Sequence, residues 1–193
     1  MAKNFYIADT HFGHKNILKY DNRPFFTTEE MDNELVERWN AAVDPSDTVY
    51  ILGDSCWKGE EMWFNILSRL HGHKVLIRGN HDPEKLSDRV AKCFDEVADY
   101  KEVDDAGRKI VLCHYPIPCF KNHFYGWYHL YGHVHISFEA NMMEHDKFLM
   151  RDLYEKQCNM YNVGCMMPWM DYTPRTLDEI IERYIAAGGQ FNG

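Results

Sequence analysis

Five short apolar runs of β type, each closed by Asp, Asn or His, constrain this chain more than any other feature. The runs are NFYIA (4–8), TVYIL (48–52), KVLI (74–77), KIVLC (109–113) and WYHLY (127–131). They are followed by Asp9-Thr10-His11, by Gly53-Asp54, by Gly79-Asn80-His81-Asp82, by His114, and by Gly132-His133-Val134-His135. Helical patterns fill the gaps. Met31, Leu35 and Trp39 recur four apart behind a Thr27/Glu30 capping box, and Met62, Trp63, Ile66, Leu67 and Leu70 share one stripe. A second capping box, Thr176/Glu179, precedes Leu177, Ile180, Ile181, Tyr184 and Ile185. Pro83 after Asp82 reads as the first position of another helix. Strands alternating with helices predict a layered α/β protein. Ligand crevices of such folds lie at the carboxyl ends of strands, so the five polar groups are expected to converge there. The Met-rich stretch 137–160 has no clear period.

The 193 residues are expected to form one domain, residues 1–193, large enough for a substantial core. No repeat or Gly/Ser/Pro-rich linker divides them. The start reads as neither a signal peptide nor a membrane anchor, and no stretch approaches the roughly 18 apolar residues of a span. Six scattered cysteines (56, 93, 113, 119, 158, 165) read as reduced thiols of a cytoplasmic protein. The formal net charge of −9 opposes a broad footprint on nucleic acid, although one local phosphate site is compatible with it. Nothing in the sequence speaks to oligomeric state.

The polar set mixes carboxylate, imidazole and one amide, without thiolate. Such donors suit Mn, Fe, Zn or Ni and not a Cys-rich structural zinc site. Seven candidates, Asp9, His11, Asp54, Asn80, His114, His133 and His135, exceed what one ion takes. They suit two divalent ions about 3.5–4 Å apart that share a carboxylate. Gly53, Gly79 and Gly132 beside them would let the backbone turn sharply and approach closely.

In order, D-x-H, G-D, G-N-H-D, H and G-H-x-H resemble the calcineurin-like metallophosphoesterase superfamily, over residues 9–135. The flanking ADTHFGHKNI, NRPF and HLYGHVH are similar to a small bacterial and phage branch of predicted phosphoesterases. The resemblance implies a two-sheet β-sandwich flanked by helices, four αββα layers with the metal site at one edge. It implies that Asp9, His11 and His135 hold one ion, that Asn80, His114 and His133 hold the other, and that Asp54 bridges. His81 corresponds to the histidine that protonates the leaving oxygen. Asp82 either orients that imidazole or caps the following helix.

Two dications against two aspartates would leave the site net positive within an acidic chain. Such a pair of ions would lower the pKa of bound water to roughly 7 and orient in-line attack on phosphorus. His81 as general acid would add about 10²- to 10⁴-fold. Arg23 and Arg78 are candidate phosphate contacts, since guanidinium binds phosphate with parallel hydrogen bonds. His14 reads either as a substrate or metal-periphery residue or as a helix-start cap. His71 and His73 precede a strand and read as a turn; His123, His129 and His145 read as surface or core. Cys56 and Cys113 read as packing. The run FYGWY (124–128) reads as packing, with base stacking as the alternative.

The expected activity is hydrolysis of small or nucleotide-like phosphodiesters, with Mn²⁺ the expected activator in vitro. Phosphomonoesters are the runner-up substrate. A non-catalytic scaffold would lack His81 or a ligand, and a nonspecific nuclease would need a basic path. The partner is then a small phosphoester, with neither extended nucleic acid nor a membrane involved.

Overall fold

In the computed structural model, which describes residues 2–156 and 158–189, all five runs are strands. The first sheet is wholly parallel, in the order β1 (Asn4–Ile7), β2 (Thr48–Ile51), β3 (His73–Ile77) and β4 (Glu96–Ala98). The second orders β5 (Tyr100–Asp105), β6 (Arg108–Cys113), β7 (Tyr128–Tyr131) and β8 (Asn159–Asn162). Its first pair is antiparallel and the rest parallel. The β5–β6 hairpin turns on Ala106 and Gly107, both at positive φ (54° and 83°). That is the type I′ geometry matching strand twist.

Inner faces of both sheets share one core. Ile7, Ile51 and Leu76 of the first sheet lie in the same buried cluster as Ile110, Leu112 and Leu130 of the second. The sheets also meet edge to edge, where Ala8 pairs with Gly164 beyond β8. Helices α1 (Ile17–Tyr20), α2 (Thr28–Ala42), α3 (Glu60–Leu67), α4 (Asp88–Ala91), α5 (Phe138–Tyr154) and α6 (Leu177–Ala186) flank them, giving the expected α/β two-sheet sandwich. Helix α2 buries Met31, Leu35 and Trp39, the stripe read from its period, and α6 carries the full Thr176/Glu179 capping box.

Two local expectations are corrected. The α2 box is half-formed: Thr27 accepts from the Glu30 amide, but the Glu30 carboxylate turns to the Phe26 amide, at 2.8 Å. Pro83 starts no helix; α4 begins at Asp88 behind an Ser87 cap. Residues 138–154 form a long helix whose only buried residue is Lys147. Its apolar Phe138, Met142, Leu149 and Leu153 face outward, so burial imposes no helical period on them. No helix among the described residues is long and apolar enough to cross a membrane.

Candidate metal centre

The loop after β1 is laid onto the loop after β2 by backbone hydrogen bonds from Asp9 N to Gly53 O and from His11 N to Asp54 O, both 3.0 Å. Across the seam between sheets, His133 N donates to both Asp9 carboxylate oxygens, at 3.2 and 3.1 Å. A Cβ on Gly132 would lie 2.5 Å from Asp9 Oδ2, so glycine is what lets the β7 loop close on that carboxylate. Five expected ligands have left-handed backbones: Asp9, His11, Asp54, His133 and His135, with φ from 46° to 71°. Such conformations cost energy and persist where the fold over-determines them, as at functional sites.

All seven predicted ligands converge. His114 Nε2 and His133 Nδ1 lie 3.0 and 2.9 Å from Asn80 Oδ1. His11 Nε2 lies 3.3 Å from His135 Nε2, and His135 Nε2 lies 3.6 Å from Asp9 Oδ1. Asp54 Oδ2 stands between the two clusters, 3.9 Å from His11 Nε2 and 3.6 Å from His114 Nε2. Two compact triads able to hold a metal ion result: Asp9, His11 and His135, and Asp9, Asp54 and His114.

The donor set fits a divalent metal on grounds of its own. Ligand atoms about 3 Å apart are what bonds of about 2.1 Å at right angles require. Tautomers are set from behind. His114 Nδ1 lies 2.8 Å from Leu52 O, and His135 Nδ1 lies 2.7 Å from Asp21 Oδ1, so both rings turn Nε2 inward. Burial opposes charge on His135, but its hydrogen bonds to Asp21 and Asp9 outweigh this and raise its pKa to about 10. Burial pushes neighbouring His11 down to about 3. His135 thus holds a proton between Asp9 and Asp21, while burial keeps His11 a neutral donor. Burial also opposes the Asp9 charge, yet the His135 hydrogen bond holds its pKa below the usual carboxylate range.

His81 sits at the rim. Its backbone amide donates to Asp54 Oδ1 at 2.9 Å, and its exposed imidazole makes no hydrogen bond among the described residues. Asp82 has neither expected role. Its carboxylate accepts from the amides of Asp54, Ser55 and Gly79, at 2.9, 3.0 and 2.9 Å, and so ties the β2 and β3 loops together. Burial raises its pKa to about 6.

Both arginines are withdrawn from phosphate. Buried Arg23 donates to Thr10 O and Asp9 O, each at 2.8 Å, and to the Asp21 carboxylate. Arg78 is occupied by Asp99 and Glu84 O. Lys58 and Lys85, unmarked in the sequence reading, line a cleft beside His81 and form no ion pair among the described residues. The His14 side chain caps no helix; its ring packs against that of His11, centroids 5.5 Å apart, and stacks on Trp57 with centroids 3.7 Å apart and planes 6° off parallel. His129 is a core residue between Val111 O, Tyr115 O and Ile117 N, and Cys56 is core packing. All six cysteines are free thiols.

Residues 5–165 match the family model described as calcineurin-like phosphoesterase. The chain belongs to that family. The calcineurin-like assignment covers more than the five motifs, reaching Cys165 beyond β8. A relative from Methanocaldococcus jannaschii, "Uncharacterized protein MJ1445", is 32% identical over 94% of this chain and 91% of its own length. "Gene 66 protein" of Mycobacterium phage L5 is 36% identical over 42% of this chain and 41% of its own. Among solved structures, the "Protein of Unknown Function AQ665" from Aquifex aeolicus superposes with a TM-score of 0.70 at 26% identity, covering 94% of this chain and 99% of that one. Divalent-metal binding is a property of calcineurin-like phosphoesterases, and the Asp/His cluster is where this one would hold it.

Proposed function

We propose that this protein hydrolyses small phosphodiesters, nucleotide-like ones among them, with two divalent cations held around Asp54. The position of Asp54 Oδ2 between His11 of one ligand cluster and His114 of the other carries the reading. Asp9, His11 and His135 would hold one cation, and Asn80, His114 and His133 the second. When bound, the pair supplies charge neutralisation and a water acidic enough to act near neutral pH. The chain's own contribution is positional. Asp54 Oδ1 anchors the His81 amide, so the carboxylate between the clusters also places the acid that protonates the leaving oxygen. The ligand set is complete and His81 is free, which supports a catalyst over a scaffold.

The diester preference follows from charge. A diester monoanion asks less of extra cations than a monoester dianion, and both Arg23 and Arg78 are engaged elsewhere. The net charge of −9 opposes long polyanions, so extended nucleic acid is not the expected substrate. The test compares kcat/KM under Mn²⁺ for a diester and a monoester with one leaving group, alongside single- and double-stranded DNA. A higher value for the diester supports the proposal. A clear monoester preference assigns a phosphatase, and efficient DNA cleavage shows that charge near the site outweighs the net balance.

A further inference from the structure

Trp57 follows the Asp54 loop and is fixed in place by its surroundings. Its amide donates to Phe12 O at 2.9 Å, and Phe12 pairs with Cys56 in an isolated bridge between the loops after β1 and β2. The His14 ring covers one face of the indole almost in parallel, and its buried Nδ1 has no hydrogen-bond partner among the described residues. Trp57 nevertheless remains 46% exposed, and Tyr20 nearby is 70% exposed. Two exposed aromatic rings beside a polar centre offer stacking surface to a planar ligand group.

The position relative to His81 gives that cover a chemical identity. The Trp57 and His81 rings are 4.8 Å apart between centroids, tilted by 57°. A cleft of about 390 Å³ is lined by Tyr20, His14, Trp57 and His81 together with the metal-side His11 and His135. A second cleft, of about 340 Å³, shares Trp57 and His81. Both volumes lie in the range of small-ligand sites, roughly 300–1,000 Å³. A group that leaves past His81 therefore lies in a cleft whose wall includes the indole. The run at 124–128, for which base stacking is the alternative reading, lines neither cleft; its Trp127 packs beside Phe120 and Tyr131 in a separate small core, as the packing reading expects.

We propose that Trp57, backed by His14 and facing the Tyr20 cleft, is the platform on which a planar ring of the leaving group stacks. The preferred substrates are thus phosphoesters whose leaving alcohol carries a nucleobase or an aryl ring. This rests on the phosphoesterase reading and names its substrate class. Base–aromatic stacking is sequence-tolerant and contributes about 5- to 150-fold per ring when converted to affinity.

Three methyl phosphodiesters test it: one with an aryl leaving group, one with a nucleoside, and one with a fluorinated alkyl alcohol matched in pKa to the aryl one. Trp57→Ala should lower kcat/KM for the ring-bearing esters about 5- to 150-fold more than for the alkyl ester, keep its metal content, and be rescued by Trp57→Phe. A drop confined to the nucleoside or to the aryl ester identifies which ring the cleft takes. Equal losses on all three esters, or no ring preference in the native enzyme, would overturn the platform. Binding of adenosine monophosphate to the metal-free protein, followed by calorimetry, gives a readout without turnover. If no ester is hydrolysed yet Trp57→Ala abolishes this binding, the platform stands and the catalytic reading fails. If binding is the same in both proteins, the platform fails whatever the turnover.

Discussion

Asp21 Oδ1 lies 2.7 Å from His135 Nδ1 across 114 residues of sequence, and its other oxygen is held by Arg23. A carboxylate behind a ligand imidazole fixes its tautomer and raises its basicity. Asp21→Ala should weaken binding of the cation at Asp9, His11 and His135 about 10- to 100-fold, measured by Mn²⁺ calorimetry. Unchanged affinity would reduce the contact to a structural one.

His81 separates binding from chemistry. His81→Ala should keep its metal content and lose roughly two to four orders of magnitude in turnover. The loss should shrink for good leaving groups, which need less protonation. Equal losses on good and poor leaving groups would take the acid role from His81.

Asp54 tests the two-ion arrangement. Anomalous diffraction from Mn²⁺- or Zn²⁺-loaded crystals should give two peaks, both in contact with Asp54, and Asp54→Ala should deplete both sites by elemental analysis. One fully occupied peak under saturating metal, with Asn80 turned away, would leave a mononuclear centre.

Most of this centre was legible because strands deliver side chains to one place, and a ligand immediately after a strand is visible in one dimension. Asp21 was not, since its partner lies on the other sheet and nothing local in YDNRPF marks it. Arg23 was misread for a related reason: guanidinium suits backbone carbonyls as well as phosphate, and only burial separates the two. Trp57 follows a ligand loop in GDSCW, the one signal available for it. Strand β8 escaped because Asn159 and Asn162 break an apolar pattern, although all four of its residues are buried. In α5 the apolar residues face solvent, so neither period nor polarity contrast was present.

His129 predicts an acid limb in stability. Burial lowers its pKa to about 4 from 6.5, so it stays neutral in the folded chain while the unfolded chain takes up a proton. Its contribution is therefore complete above pH 6.5 and is lost as pH falls toward 4, by about 3 kcal/mol in all. Urea unfolding between those pH values should show a shallower decline for His129→Gln than for the native chain. Parallel curves would locate the acid sensitivity elsewhere.

Arg23 grips the carbonyls of Asp9 and Thr10 from inside the protein, so the loop bearing Asp9 and His11 keeps its shape by the fold's own bonds. A cradle held this way acts as a gauge of ionic radius. His11 Nε2 and His135 Nε2, 3.3 Å apart at that loop, suit two bonds of about 2.1 Å to one ion, whereas Ca²⁺, with oxygen ligands at about 2.3–2.6 Å, is poorly met by a pair of imidazoles on a frame anchored from behind. Selection among cations thus begins with the stiffness of an arginine that never touches the ion.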